Sequence, residues 1–220
     1  MSLTLAARLR AETAGLHAQA EQTPFMAALT GGRLDRRACC LMLRSLVPVY
    51  RELEGGLALN ASHPSVAPVR FPALLRMPAL QLDLQVLHGP LWEEELAVMP
   101  AGLDYARRLS SISQSGPGLL AAHAYVRYLG DLSGGQMLRG ITTRSLGLAP
   151  GGGGTAFYEF GPPAEVAALG QALRAGLNAI APDAASADAD AIVAEAKWSF
   201  EMHGLLFAEL AQAAGLTPLQ

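Results

Sequence analysis

Residues 117–147 read PGLLAAHAYVRYLGDLSGGQMLRGITTRSLG, and this stretch decides the fold. Apolar positions recur at helical spacing through Leu119, Ala122, Val126, Leu129, Leu132, Met137, Leu138 and Ile141. Gly130, Gly134 and Gly135 interrupt the pattern, and each glycine costs a helix interior about 1 kcal/mol relative to alanine. Such a concentration needs a compensating use: a bend, or the close approach of another body to a backbone without side chains. Arg127, Gly130, Asp131 and Gly134 fall at i, i+3, i+4 and i+7, on one helical stripe. The stripe is smooth, carries one carboxylate, and suits a flat ligand lying against it.

The rest of the chain reads as helix around that stretch. Of its 220 residues 51% are hydrophobic, with Ala and Leu abundant, enough for one domain with a substantial core. Charged residues make up 16%, which excludes a disordered tail or a coiled coil, and a net charge of −3 gives no electrostatic reason to expect nucleic acid. Residues 3–20 form a first helix, with Leu5, Leu9, Leu16 and Ala20 near one face, Ser2 or Thr4 as its cap and Pro24 as its limit. After a Gly31–Arg33 turn, 34–60 form a long second helix with an expected kink at Pro48 and an end loosened by Gly55 and Gly56. A proline-dense stretch follows, then helices over 79–97 (with Pro90 as a boundary inside it) and 101–114, the glycine helix, a Gly151–Gly154 loop, and helices over 163–180 and 186–214. No strand pattern, internal repeat or linker is present. The expectation is a single all-α domain over residues 1–220. No apolar run reaches about 18 residues, so no membrane anchor is expected, and two adjacent cysteines, Cys39 and Cys40, fit a reducing cytoplasm.

Five histidines are candidates for ligation or proton transfer: His17, His63, His88, His123 and His203. His63 precedes Pro and His88 precedes Gly-Pro, so both read as turn residues; His123 sits beside alanines and reads as structural or surface. His17 stands out because Glu21, at i+4, can orient its ring, as carboxylates commonly do for metal-bound imidazole. Zinc spacings, paired ExxH motifs, GxSxG, GxGxxG and the P-loop are all absent. One axial imidazole, a flat slot and cations for two propionates are what a haem requires. Asp131 reads either as a solvent-facing group paired to Arg127 or as a buried carboxylate in a network with Arg127 and Tyr50, where it would hold ordered water.

At these residues the chain closely resembles the haem oxygenases. HAYVRYLGDLSGGQ at 123–136 is similar to the family's distal-helix signature, and HAQAEQTPFM at 17–26 to its proximal-histidine segment. SLVPVYRELE at 45–54, the FP…DL pattern at 71–84, GPLW at 89–92, LRAGLN at 173–178 and AEAKWSF at 194–200 correspond in the same order.

The resemblance implies an all-α domain with haem between a proximal and a kinked distal helix. It implies that His17 is the axial iron ligand with Glu21 beside it, and that Gly130 and Gly134 let the distal backbone lie close to haem. Asp131 would hold the distal water network, supported by Tyr50 and Arg127. Arg10 (a lysine in the family), Tyr125 and Arg174 would contact the propionates, and Phe200 would lie near the haem edge. Ala14 and Gly170 replace basic residues of some relatives, so the cationic rim is thinner. The implied activity is oxidative cleavage of haem b to biliverdin, with the α meso carbon as default, plus CO and ferrous iron, in a soluble bacterial enzyme. It would use O2 and electrons from ferredoxin, flavodoxin or an NAD(P)H-dependent reductase, and a downstream biliverdin-using protein is an expected partner. Two other classes stay open: a haem carrier or sensor on the same fold, and a thiaminase-like helical enzyme.

Overall fold

The computed structural model describes residues 3–149 and 151–216. Nine α-helices in chain order, α1 Leu5–Glu21, α2 Pro24–Thr30, α3 Arg36–Leu59, α4 Met77–Leu87, α5 Trp92–Glu95, α6 Pro100–Ser115, α7 Leu120–Ser145, α8 Pro163–Ile180 and α9 Ala187–Ala213, make an all-α fold with no strand among the described residues. Short 3-10 turns at Ala67–Val69, Pro72–Leu74, Pro117–Leu119 and Ala156–Tyr158 join them. One apolar core runs through the bundle, with α3 packed along α6 and α9 in contact with α1, α2, α6 and α7.

Local chemistry sets the helix ends. Thr4 caps α1 by accepting from the Ala7 N–H, while Ser2 lies outside the described residues. Thr23 caps α2 with Pro24 in its first turn, a short helix that the sequence reading passed over because Pro24 was taken only as a stop. Asp35 caps α3 and Ser186 caps α9. Helix α3 continues helically through Pro48 to Leu59. Its end is not loosened by glycine: Gly56 is buried against Ser113 and Leu120, and the Asn60 amide donates to the carbonyls of Gly56 and Ser113 at 2.9 and 3.0 Å. The expected 79–97 helix is two helices, α4 and α5, separated at Gly89 (φ +111°) and Pro90.

Two buried charged residues lock the segment after α7 onto α4. Asp83 is fully buried and accepts from the backbone N–H groups of Ala156 and Phe157, each at 2.8 Å. Arg76 donates to the carbonyls of Phe157 and Glu159 and lies 3.8 Å over the Phe160 ring. Glu54 of α3 in turn caps α4 by accepting from the Arg76 and Met77 N–H groups. The loop so held presents the Tyr158 carbonyl to Gly135, where an added Cβ would sit 3.0 Å from that oxygen. Gly135 therefore serves core packing of α7, a different use from that of Gly130 and Gly134.

His123 is fully buried, which removes the surface alternative and keeps the structural one. Its Nε2–H donates to Glu195 at 3.0 Å, and its Nδ1 accepts from the Tyr105 hydroxyl at 2.9 Å. Arg108 grips both Glu195 oxygens, at 2.9 and 2.6 Å. His63 and His88 are turn residues as expected, with His88 paired to Glu95 at 2.9 Å.

Asp83→Ala leaves two backbone donors without acceptors and is expected to lower the free energy of unfolding by about 1–3 kcal/mol in urea denaturation. Glu195 yields a pH prediction. Burial disfavours its charge, but the hydrogen bonds from His123 and Arg108 outweigh burial and bring its pKa from the ordinary 4.5 to about 2. A carboxylate depressed in the fold contributes stability above its unfolded pKa and loses it as pH falls toward the folded one. The Tm deficit of Glu195→Gln should thus be full at pH 7 and shrink between pH 4.5 and about 2; a deficit constant across that window would contradict the assignment.

Candidate haem site

Helix α1 brings His17 to its last turn, where the imidazole is half exposed and Nδ1 lies 3.5 Å from Glu21 Oε2. That separation orients the ring without a tight hydrogen bond and leaves Nε2 with no protein partner among the described residues. Phe200 of α9 meets the His17 ring edge-on, with centroids 5.8 Å apart. These three residues, all named by the sequence reading, come together as expected.

On α7, Gly130 is exposed and an added Cβ would find nothing within 4 Å, while at Gly134 it would meet only Leu138, at 3.7 Å. The backbone there is bare and faces open space. Asp131, next in sequence, turns inward, and its side chain is only 9% exposed. Tyr50 of α3 donates its hydroxyl to Asp131 Oδ2. The Tyr50 oxygen accepts from Arg127 Nε at 3.0 Å and Nη2 at 2.8 Å, and Nη2 also reaches Asp131 Oδ1 at 3.3 Å. Of the two readings of Asp131, the buried network is the observed one. Burial raises its pKa, opposed by the Arg127 charge and the Tyr50 hydrogen bond.

A third group flanks the same region. Tyr125 of α7 lies 3.3 Å from the Thr13 hydroxyl of α1. Burial raises its pKa, and the positive charges of Arg10 on α1 and Arg174 on α8 act against that rise, which places both guanidinium groups within electrostatic reach of the phenol. Arg10 and Arg174 are exposed, and neither pairs with a carboxylate among the described residues. Ala14 is exposed on α1, but Gly170 is buried beneath Arg174, whose Nη1 lies 3.2 Å from where a Cβ would be. A side chain at 170 would require the tip of Arg174 to give by a few tenths of an ångström.

A half-exposed imidazole with an open Nε2, an aromatic edge, a bare helix face and two unpaired cations fit a flat, iron-bearing dianion. The sequence names His203 among the candidate histidines but gives it no place, and its Nε2 contacts Arg127; Glu195, Arg76 and Asp83 are not singled out. Nothing in their spacing marked them, because each meets its partner across helices far apart in the chain.

Comparison with known proteins agrees. A family model described as "Heme oxygenase" matches residues 3–209. The heme oxygenase 1 of Homo sapiens is 37% identical over 96% of this chain and 73% of its own length, and that of a Nostoc species is 37% identical over 96% and 87%. Among solved structures, heme oxygenase-2 of Synechocystis sp. PCC 6803, in complex with heme and NO, superposes with a TM-score of 0.88 at 33% identity, covering 96% of this chain and 87% of that one. Heme oxygenase-1 of the same cyanobacterium, in complex with heme, gives 0.85 at 35% identity, covering 97% and 96%. With the family model spanning nearly the whole chain and relatives in both mammals and cyanobacteria, this chain belongs to the heme oxygenase family.

Proposed function

We propose that one domain spanning the chain binds haem b through His17 and cleaves it to biliverdin, CO and ferrous iron, with Asp131 as the central distal group. Bound haem supplies the iron that activates O2 and the meso carbon that is oxidised. His17 binds iron through Nε2 as neutral imidazole, with Glu21 fixing the ring and Phe200 closing its edge. Arg10, Tyr125 and Arg174 would bind the propionates, and the α meso carbon, the family default, would be the one attacked. Gly130 and Gly134 allow the α7 backbone to approach the haem face.

The observation that carries the reading is the buried Asp131–Tyr50–Arg127 cluster beside a helix face without side chains. A carboxylate with one oxygen on a phenol and the other on a guanidinium is rigid, and it retains lone pairs that can hold water at the open face. Water so placed donates protons gently, whereas a strong acid in direct contact would promote O–O cleavage before the ring is attacked. This cluster favours an enzyme over a carrier or sensor, which has no need of a distal proton source. The thiaminase-like alternative needs a reactive acid or thiol; Cys39 and Cys40 are buried, and desolvation pushes them up to about 12 and about 11.

Electrons come from ferredoxin, flavodoxin or an NAD(P)H-dependent reductase, and the bilin product passes to a biliverdin-using protein. Among the described residues no helix is long and apolar enough to cross a membrane.

Mixing the protein with haemin, a reductant system and O2 should produce a Soret band that gives way to biliverdin absorbance. Binding without decay would indicate a carrier, and no binding would remove the assignment. Asp131→Ala should retain the Soret band and lose at least about tenfold in biliverdin yield, since each tenfold is about 1.4 kcal/mol of barrier; an unchanged yield would reject the role given to Asp131. His17→Ala should lose the imidazole-ligated spectrum.

A further inference from the structure

The reaction above gives no task to His203, a buried titratable group one contact away from Asp131's partners. Its ring is 4% exposed within α9, and Nδ1 donates to the Ser199 carbonyl one turn earlier at 2.8 Å. With the ring proton committed there, Nε2 carries a lone pair, and it faces Nη1 of Arg127. Arginine offers N–H donors and no acceptor, so its partner must be an unprotonated nitrogen. The same guanidinium spends Nε and Nη2 on Tyr50 and Asp131. Arg127 is therefore held between an imidazole acceptor on one side and the distal pair on the other.

We propose that His203 is a positioning residue of the distal site: as the Nδ1–H tautomer it latches Arg127, and through Arg127 it sets the placement of Tyr50 and Asp131, so that a proton added at Nε2 opposes two cations and releases the latch. The inference rests on the reading of Asp131 as the distal group.

The surroundings leave the latch no other support. From α6 the Tyr105 ring faces His203 at 5.3 Å, and from α7 come Arg127 and, further off, His123. On α9 itself lie Phe200 and Phe207, at 6.4 and 6.1 Å, with Phe25 of α2 stacked on Phe207; Tyr50 of α3 stands behind Arg127. Among the described residues no carboxylate contacts the ring, since Glu195 is held by His123 and Arg108, and Asp131 by Tyr50 and Arg127. Burial and then the Arg127 charge push the imidazole well below its ordinary 6.5, with the Ser199 carbonyl acting the other way. The latch is consequently closed at neutral pH and opens only on strong acidification.

The test begins on haem-free protein, with imidazole nitrogen–proton correlation spectra recorded from pH 8 downward. His203 should show the Nδ1–H tautomer and titrate, if at all, well below the ordinary histidine value. An Nε2–H tautomer, or titration near the ordinary value, overturns the latch. Carboxyl carbon spectra should show the Asp131 pKa higher in His203→Leu than in the wild type, and returned toward it in His203→Gln, whose amide oxygen can accept from Arg127. An unchanged value in His203→Leu overturns the coupling, and if that variant does not fold, the wild-type and His203→Gln spectra decide. With haem added, His203→Leu should bind haem within twofold of the wild type yet form biliverdin at least tenfold more slowly. His203→Gln should recover the rate and lose the acid limb of its pH profile. Activity that survives Asp131→Ala while the imidazole spectra stay as expected would overturn the reading of Asp131, and with it the catalytic half of this one.

Discussion

The cluster of Asp131, Tyr50 and Arg127 depends on keeping the Asp131 carboxylate buried. An ionised carboxylate out of water is costly unless it is paired and hydrogen-bonded, and removing one partner of such a buried pair typically costs about 3–5 kcal/mol. Arg127, one turn earlier on α7, supplies the charge but reaches Asp131 at only 3.3 Å. Tyr50 completes the arrangement by accepting from Arg127 and donating to Asp131, which requires α3 to meet α7 at a single register. That register is fixed from behind. Asp83 and Arg76 hold the 156–160 segment, its Tyr158 carbonyl abuts Gly135, and Glu54 ties α4 back to α3. Buried polar groups far from any ligand thus serve the placement of one acid.

The helices were legible because their signals are local. Thr4 caps α1 as its sequence suggests, Asp35 and Ser186 cap α3 and α9, and Pro48 alone, inside α3, did not break the pattern it interrupts. Pro90 marks the boundary between α4 and α5, but the existence of α2 was less legible, since Pro24 reads as a stop for α1 as well as a start. In the site, the i, i+4 pair His17–Glu21 and the Arg127–Asp131 spacing are visible in the chain itself, with Tyr50 a candidate third member, and the family resemblance added Phe200, Arg10, Tyr125 and Arg174. Contacts between distant segments left no such trace. His203 and Arg127 are 76 positions apart, and Asp83 and Phe157 are 74, and no periodicity encodes either.

The stripe drawn from helical spacing also needed resolving. Arg127, Gly130, Asp131 and Gly134 lie on one side of an ideal helix, yet the structure divides them at its edge: the glycines open outward and the charged pair turns toward α3 and α9. A stripe about 100° wide accommodates both, with one border wet and the other dry. This division is what makes the stripe useful. The bare backbone and the buried carboxylate thus lie side by side, while the guanidinium stays on the dry border.

The cations are divided in the same manner. Arg8 and Arg10 stand two residues apart on α1, and Arg8 is fully engaged, by Glu12 at 2.7 Å, Asp190 at 2.7 Å and the Ala184 carbonyl at 2.6 Å. Lys197 is likewise held by Glu12. Arg10 and Arg174 have no such carboxylate, although a chain with 19 acidic residues against 16 basic ones has acids to spare. An exposed pair is worth little to stability, so leaving two arginines unpaired costs the fold almost nothing. It leaves their full charge beside Tyr125, where α1, α7 and α8 converge and where a dianionic edge has the most to gain from it. Glu12 is engaged by Arg8 and Lys197, and Arg10 keeps its charge.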